Sequence, residues 1–107
     1  MAFYELRTYE IRPGKMDEWL ALMETEIIPF QVEQGMVIAG SFRAEGDDGT
    51  YIWIRRFENE DERVRLYKAV YESDRWLNEM TDRVGQCINR ETISVQRIVP
   101  TSRSILQ

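Results

Sequence analysis

The chain contains no histidine, and that absence removes much of the chemistry open to a small protein. Without an imidazole there is no Ser-His-Asp or Cys-His catalysis, no histidine-ligated zinc or haem, and no histidine proton shuttle. Cysteine is nearly absent too: Cys87 stands alone, so no internal disulfide forms, as suits a reducing compartment. It sits in "DRVGQCIN", beside Ile88 and one helical turn past Val84. With nothing to activate it, its thiol reads as a small buried apolar side chain rather than a nucleophile. No apolar run nears the roughly 20 residues of a membrane span, and "MAFYELRTYE" lacks the basic and apolar regions of a signal peptide. The expectation is a cytoplasmic chain with no membrane partner. An excess of basic residues is missing as well: the net charge is -5, which argues against nucleic acid as a partner. Glycine-rich phosphate loops and cysteine pairs are absent, so no cofactor and no metal is expected. The acidic run "ENEDE" reads as a solvated helix start, because adjacent helical residues diverge in direction.

At 107 residues, 43% of them hydrophobic and 31% charged, the chain suits a single globular domain with one core. The domain is expected over 1–100, with a C-terminal tail at 101–107. "FYELRTYEIRPG" reads as a first strand broken by Arg-Pro-Gly. Asp17 and Glu18 then occupy a helix's first turn, and Met16, Trp19, Leu20, Met23 and Ile27 recur at helical spacing. Pro29 is expected to bend or end that helix, with a further turn possible through Gln34 and closure at Gly35. Strands are predicted at 36–45 and 51–58, joined by the turn chemistry of "GDDGT" into an antiparallel hairpin. Asn59 and Glu62 form a capping box for a second helix, with Val64, Tyr67 and Tyr71 on one face. "ESD" interrupts it, and a further helical piece carries Trp76 or Leu77, Met80, Val84 and Cys87. A last strand spans 91–100. The tail "TSRSILQ" has no period and is expected to need a partner for order. Strand, helix, strand, strand, helix, strand gives an α+β, ferredoxin-like βαββαβ fold: a four-stranded antiparallel sheet with helices on one face.

Strand alternation divides the sheet residues between two faces. Tyr4, Leu6 and Thr8 share one face; Phe3, Glu5, Arg7, Tyr9 and Ile11 share the other. On the third strand, Ile52, Ile54 and Arg56 alternate with Tyr51, Trp53, Arg55 and Phe57. The aliphatic set, Leu6 with Ile52 and Ile54, is expected under the helices, which leaves Phe3, Tyr9, Trp53 and Phe57 on the uncovered face. An aromatic patch of that size calls for a cover, and a two-fold sheet-to-sheet contact with a second copy is the economical one.

Glu5, Arg7, Tyr9, Trp53 and Arg55 then form a candidate ligand site. Arginine offers a planar fork for a carboxylate or phosphate, Tyr9 a hydrogen bond, and Glu5 a base if burial raises its pKa. Two arginines against one carboxylate leave a positive charge that an anion would balance, and Arg55 is the expected holder of that anion. Ser94 and Gln96 on the last strand could complete the polar wall. The same residues also read as ion pairs that satisfy one another at an interface. Trp19 and Trp76 read as core packing.

"YELRTYEIRPGKMDEWL", "GSFRAEGDDGTYIWIRRFENEDER", "SDRW" and "PTSRS" together resemble the NIPSNAP family of dimeric α/β-barrel proteins over nearly the whole chain. The resemblance implies a ferredoxin-like protomer and a sheet-to-sheet homodimer. Related barrels include monooxygenases, lyases, isomerases and binding proteins, and the lack of histidine sets this chain apart from the haem-degrading ones. Three functions stay open. A sheet-side cavity could bind a small, partly apolar organic anion. The chain could instead be a cofactor-independent monooxygenase or isomerase in which Glu5 or Tyr9 moves a proton. It could also be a dimerisation module without a ligand.

Overall fold

The computed structural model describes residues 2–107. Strands β1 (Phe3–Glu10), β2 (Val37–Arg43), β3 (Thr50–Phe57) and β4 (Ser94–Ile98) form one sheet in the order β2-β3-β1-β4. Every neighbouring pair is antiparallel. Two helical arms lie between the strands. The first runs through α1 (Met16–Leu22), a π-helical turn (Met23–Ile27) and α2 (Ile28–Gln34). The second comprises α3 (Glu60–Tyr71), a π-helical turn (Trp76–Met80) and α4 (Thr81–Cys87). The architecture is the ferredoxin-like one that the order of periodic segments implies.

The faces of the sheet are the reverse of the expectation. Phe3, Tyr9, Tyr51, Trp53 and Phe57 are buried in one core with Trp19, Met23, Ile27, Leu66, Val70 and Met80 from the helical arms. Leu6, Thr8, Ile52 and Ile54 occupy the other face and are half-buried. Volume decides this. Two helical arms can seat large rings that a face of isoleucines would underfill, and close packing favours filling that gap. Tyr9 and Tyr51 meet the Trp19 indole edge-on at centroid distances of 5.8 and 5.7 Å.

Proline does not end the first helix. Pro29 has no N–H to give the preceding turn, and the π-helical turn just before it lets the chain continue helically to Gln34. Within α1, Leu22 is buried and Leu20 only partly so. In the second arm Leu66 and Val70 point inward, while Val64 and Leu77 are exposed. Asn59 Oδ1 accepts from the Glu62 amide at 2.8 Å, so the expected cap does start α3. Cys87 is buried, and burial pushes its thiol up.

Gly35 ends α2 at φ 110°, a left-handed geometry that a side chain adopts only under strain. A Cβ there would stand 3.2 Å from Leu66 Cδ2. Gly35→Ala should therefore lower stability by about 1–2 kcal/mol in urea unfolding.

The tail packs against the chain's own open sheet face. Tyr4 Oη and Arg56 Nε both donate to the Gln107 carbonyl, at 2.8 and 2.5 Å. Tyr4, Ile54, Ile98, Val99 and Leu106 line a groove beneath it.

Candidate functional site

Antiparallel register sets the site. Glu5 lies opposite Arg55, and Arg7 opposite Trp53, so all four project beneath the helices. Burying these charges is tolerable only if other groups satisfy them, and the helices supply those groups. Tyr67 and Tyr71, one helical turn apart on α3, and Gln31 on α2 all reach the sheet.

Arg55 is completely enclosed. Its Nη1 donates to Tyr71 Oη at 2.7 Å and to Gln31 Oε1 at 2.9 Å. Its Nη2 donates to Tyr67 Oη at 2.9 Å and to Glu5 Oε1 at 3.3 Å. The guanidinium carbon stands 4.5 Å from the Trp53 ring centroid and 5.1 Å from that of Tyr67, so aromatic faces supply part of what water would. Tyr67 donates its own proton to Glu5 Oε1. Burial pushes the Tyr67 phenol up to about 12, although Arg55 pulls it the other way, so it remains a donor at neutral pH. Arg7 completes the cluster: its Nε donates to Tyr9 Oη at 2.9 Å, and its Nη1 lies 3.2 Å from Tyr67 Oη and 3.8 Å from Glu5 Oε1.

Beside this cluster is a cavity of about 110 Å³ between sheet and helices. Arg7, Tyr9 and Trp53 line it; Glu5 and Arg55 do not, because they sit behind that wall. The side chain that could meet an anion is thus Arg7 rather than Arg55. Ser94 and Gln96 are exposed and lie opposite Thr8 and Leu6, on the far face of the sheet and outside the site. The wall includes residues that the sequence did not nominate: Gln31, Tyr71 and Arg90, and the indoles of Trp19 and Trp76. Spacing alone could have suggested Tyr71 through its helical step from Tyr67. Gln31 and Arg90 left no such signal, since only the fold brings them here.

The polar side chains on this wall present donors. The indole N–H groups of Trp19 and Trp53 have no acceptor among the described residues, but their nitrogens are enclosed by protein and do not open onto the cavity. Tyr9 and Tyr71 use their oxygens to accept from Arg7 and Arg55, which leaves their protons free to donate. Burial pushes the Tyr9 phenol up against the pull of Arg7, so that proton is retained. Gln31 has its carbonyl oxygen committed to Arg55. No carboxylate lines the cavity. Met23, Ile27, Val84 and Ile88 supply an apolar part. No cluster of potential metal ligands occurs among the described residues, and no described helix is long and apolar enough to cross a membrane.

The sequence model of the NIPSNAP family matches residues 4–103. A NIPSNAP family protein of Agrobacterium tumefaciens is similar along the full length of both chains, with 100% coverage of each, 28% identity and a TM-score of 0.87. Another from the same organism, of unknown function, shares the fold with a TM-score of 0.88 at 24% identity, over 99% of this chain and 94% of that one. A NIPSNAP-like domain protein of Burkholderia xenovorans does so with a TM-score of 0.85 at 19% identity, over 96% and 88%. Comparison with curated proteins finds no match.

Proposed function

Because this chain belongs to the NIPSNAP family, in which a solved relative has the same fold and no known function, we propose a function from the cavity itself: it binds a small, partly apolar organic anion. The observation that carries this reading is the half-buried Arg7 guanidinium on a cavity that no carboxylate lines. An anionic ligand supplies a counter-charge to Arg7, which otherwise shares the single Glu5 carboxylate with Arg55. Of the three charges packed side by side, Glu5 and Arg55 offset each other, and Arg7 is left to meet the ligand.

The geometry favours binding over proton transfer. Glu5, the candidate base, is engaged by Tyr67, Arg55 and Arg7 and is absent from the cavity wall. Tyr9 is on the wall but holds its proton, which suits a donor.

We propose in addition that the open sheet face, with Leu6, Thr8 and Ile52, packs against a second copy to make a homodimer. Its half-buried aliphatic side chains beside the exposed Phe42 are what such a contact would cover.

Thermal unfolding with a panel of organic acids tests the site. A ligand at a hundred times its Kd stabilises by about 2.7 kcal/mol, worth on the order of 10 °C for a domain this size. The shift should saturate with dose and vanish in Arg7→Met. A response no larger than that of matched ionic strength, or an equal one in Arg7→Met, would refute the anion site.

A further inference from the structure

We propose that the end of α4 carries a second anion site, built by Arg12 and Arg90 around Gly85, that takes a phosphate group. It is distinct from the Arg7 cavity and stands or falls without it.

Backbone pairing brings the two arginines together from opposite ends of the chain. The Arg12 amide donates to the Cys87 carbonyl at 2.8 Å, the Asn89 amide donates to the Glu10 carbonyl at 3.0 Å, and Ile11 forms an antiparallel bridge with Ile88. The segment after β1 is thereby fixed against the end of α4.

Both side chains then converge on Gly85. Arg12 Nε donates to the Gly85 carbonyl at 3.2 Å, whose usual helical partner, the Asn89 amide, has gone to Glu10. Arg90 lies where a side chain on residue 85 would be: a Cβ there would stand 2.7 Å from Arg90 Nη1 and 3.7 Å from its Cζ. Glycine is a poor helix former, and here it is what leaves room for the guanidinium. Arg90 Nη2 is held by the Thr81 carbonyl and hydroxyl at 2.6 and 2.8 Å. Thr81 is the first residue of α4, so this bond fixes the guanidinium in place rather than capping the end of the helix.

Two positive charges held beside one residue repel each other unless an anion meets them. Neither Arg12 nor Arg90 forms an ion pair among the described residues. Glu10 is engaged by Asn89 Nδ2 at 3.1 Å, and Glu91 lines the hollow without pairing with either arginine. Arg12 spends only its Nε and Arg90 only its Nη2, so their other N–H groups have no acceptor among the described residues. They border an open hollow of about 440 Å³. The planar fork of arginine matches phosphate oxygens, and a phosphate dianion balances both guanidiniums where a monocarboxylate balances one.

Ile88 and Arg90 line both this hollow and the Arg7 cavity, whereas Arg12 and Gly85 line the hollow alone, so the test uses the latter two. Isothermal titration of the full chain with inorganic phosphate, at constant ionic strength and at a pH above the second ionisation of phosphate, should show one saturable site. Arg12→Gln removes one charge and Gly85→Ala displaces the other, so each should weaken phosphate binding tenfold or more. Gly85→Ala should keep or raise the melting temperature of the free protein, because alanine is the better helix former and only the end of the Arg90 side chain stands in its way. Lost binding in that variant is then not lost folding. If either variant fails to fold, as judged by circular dichroism, the other carries the test. Arg7→Met should bind phosphate as the parent does. Absence of saturable binding beyond that of sodium chloride overturns the site, and so does unchanged affinity in Gly85→Ala or Arg12→Gln. Loss of phosphate binding in Arg7→Met would place the anion in the cavity instead and overturn it equally.

Discussion

Arg55→Met should destabilise the folded chain by about 3–5 kcal/mol, the cost of breaking a buried ion pair from one side. Methionine retains much of the apolar stem, so packing changes little and the loss is mainly polar. Glu5, only 4% exposed, would lose its nearest cation and keep Tyr67 and the more distant Arg7. Tyr71 and Gln31 would lose the donor that now holds both. Glu5→Gln should cost less, because the amide still accepts from Tyr67 and the Arg55 guanidinium keeps Tyr71, Gln31 and the Trp53 ring. The two substitutions should not add: groups in one network commonly couple by 0.5–3 kcal/mol, roughly. Urea unfolding of both single variants and the double variant measures this. A loss below about 1 kcal/mol for Arg55→Met would mean that the pair is not interior.

The architecture was legible because it rests on short-range signals. Asn59 and Glu62 mark the start of α3, "GDDGT" marks the hairpin, and Gly35 marks the end of α2. Face assignment failed because it weighed the sheet alone. Judged by strand alternation, a face carrying Glu5, Arg7 and Arg55 looks unfit for a core. It becomes fit once α3 delivers two phenols and α2 delivers an amide, and those partners lie 12 to 62 residues away along the chain. The π-helical turns left no trace in the periodicity either, since each shifts the apolar stripe within a single turn. Glu5, Arg7, Tyr9, Trp53 and Arg55 do come together as their shared strand faces imply. Their division into a wall and a buried support behind it depends on helix placement, which alternation does not encode. Ser94 and Gln96 were misplaced by the same inversion: strand pairing fixes them opposite Thr8 and Leu6, so they follow those residues to the open face.

Ile52→Asp is the second large effect, and it bears on the proposed dimer. Ile52 lies on β3, a central strand, opposite Thr8 on one side and Phe42 on the other. It faces away from the helix-covered core and does not line the groove under the tail. In a single copy the new carboxylate can therefore turn to water, and the protomer should keep its fold with a stability change of about 1 kcal/mol or less. A two-fold contact presents the same surface twice, so a dimer would bury two carboxylates near its centre without cations to match them. Each such burial costs several kcal/mol, and together they should weaken association by three orders of magnitude or more. Sedimentation equilibrium at micromolar concentration should find the parent dimeric and Ile52→Asp monomeric, with the same far-UV circular dichroism. A parent that sediments as a monomer would refute the dimer outright. A variant that stays dimeric would move the contact off this face, to a surface that Ile52 does not reach.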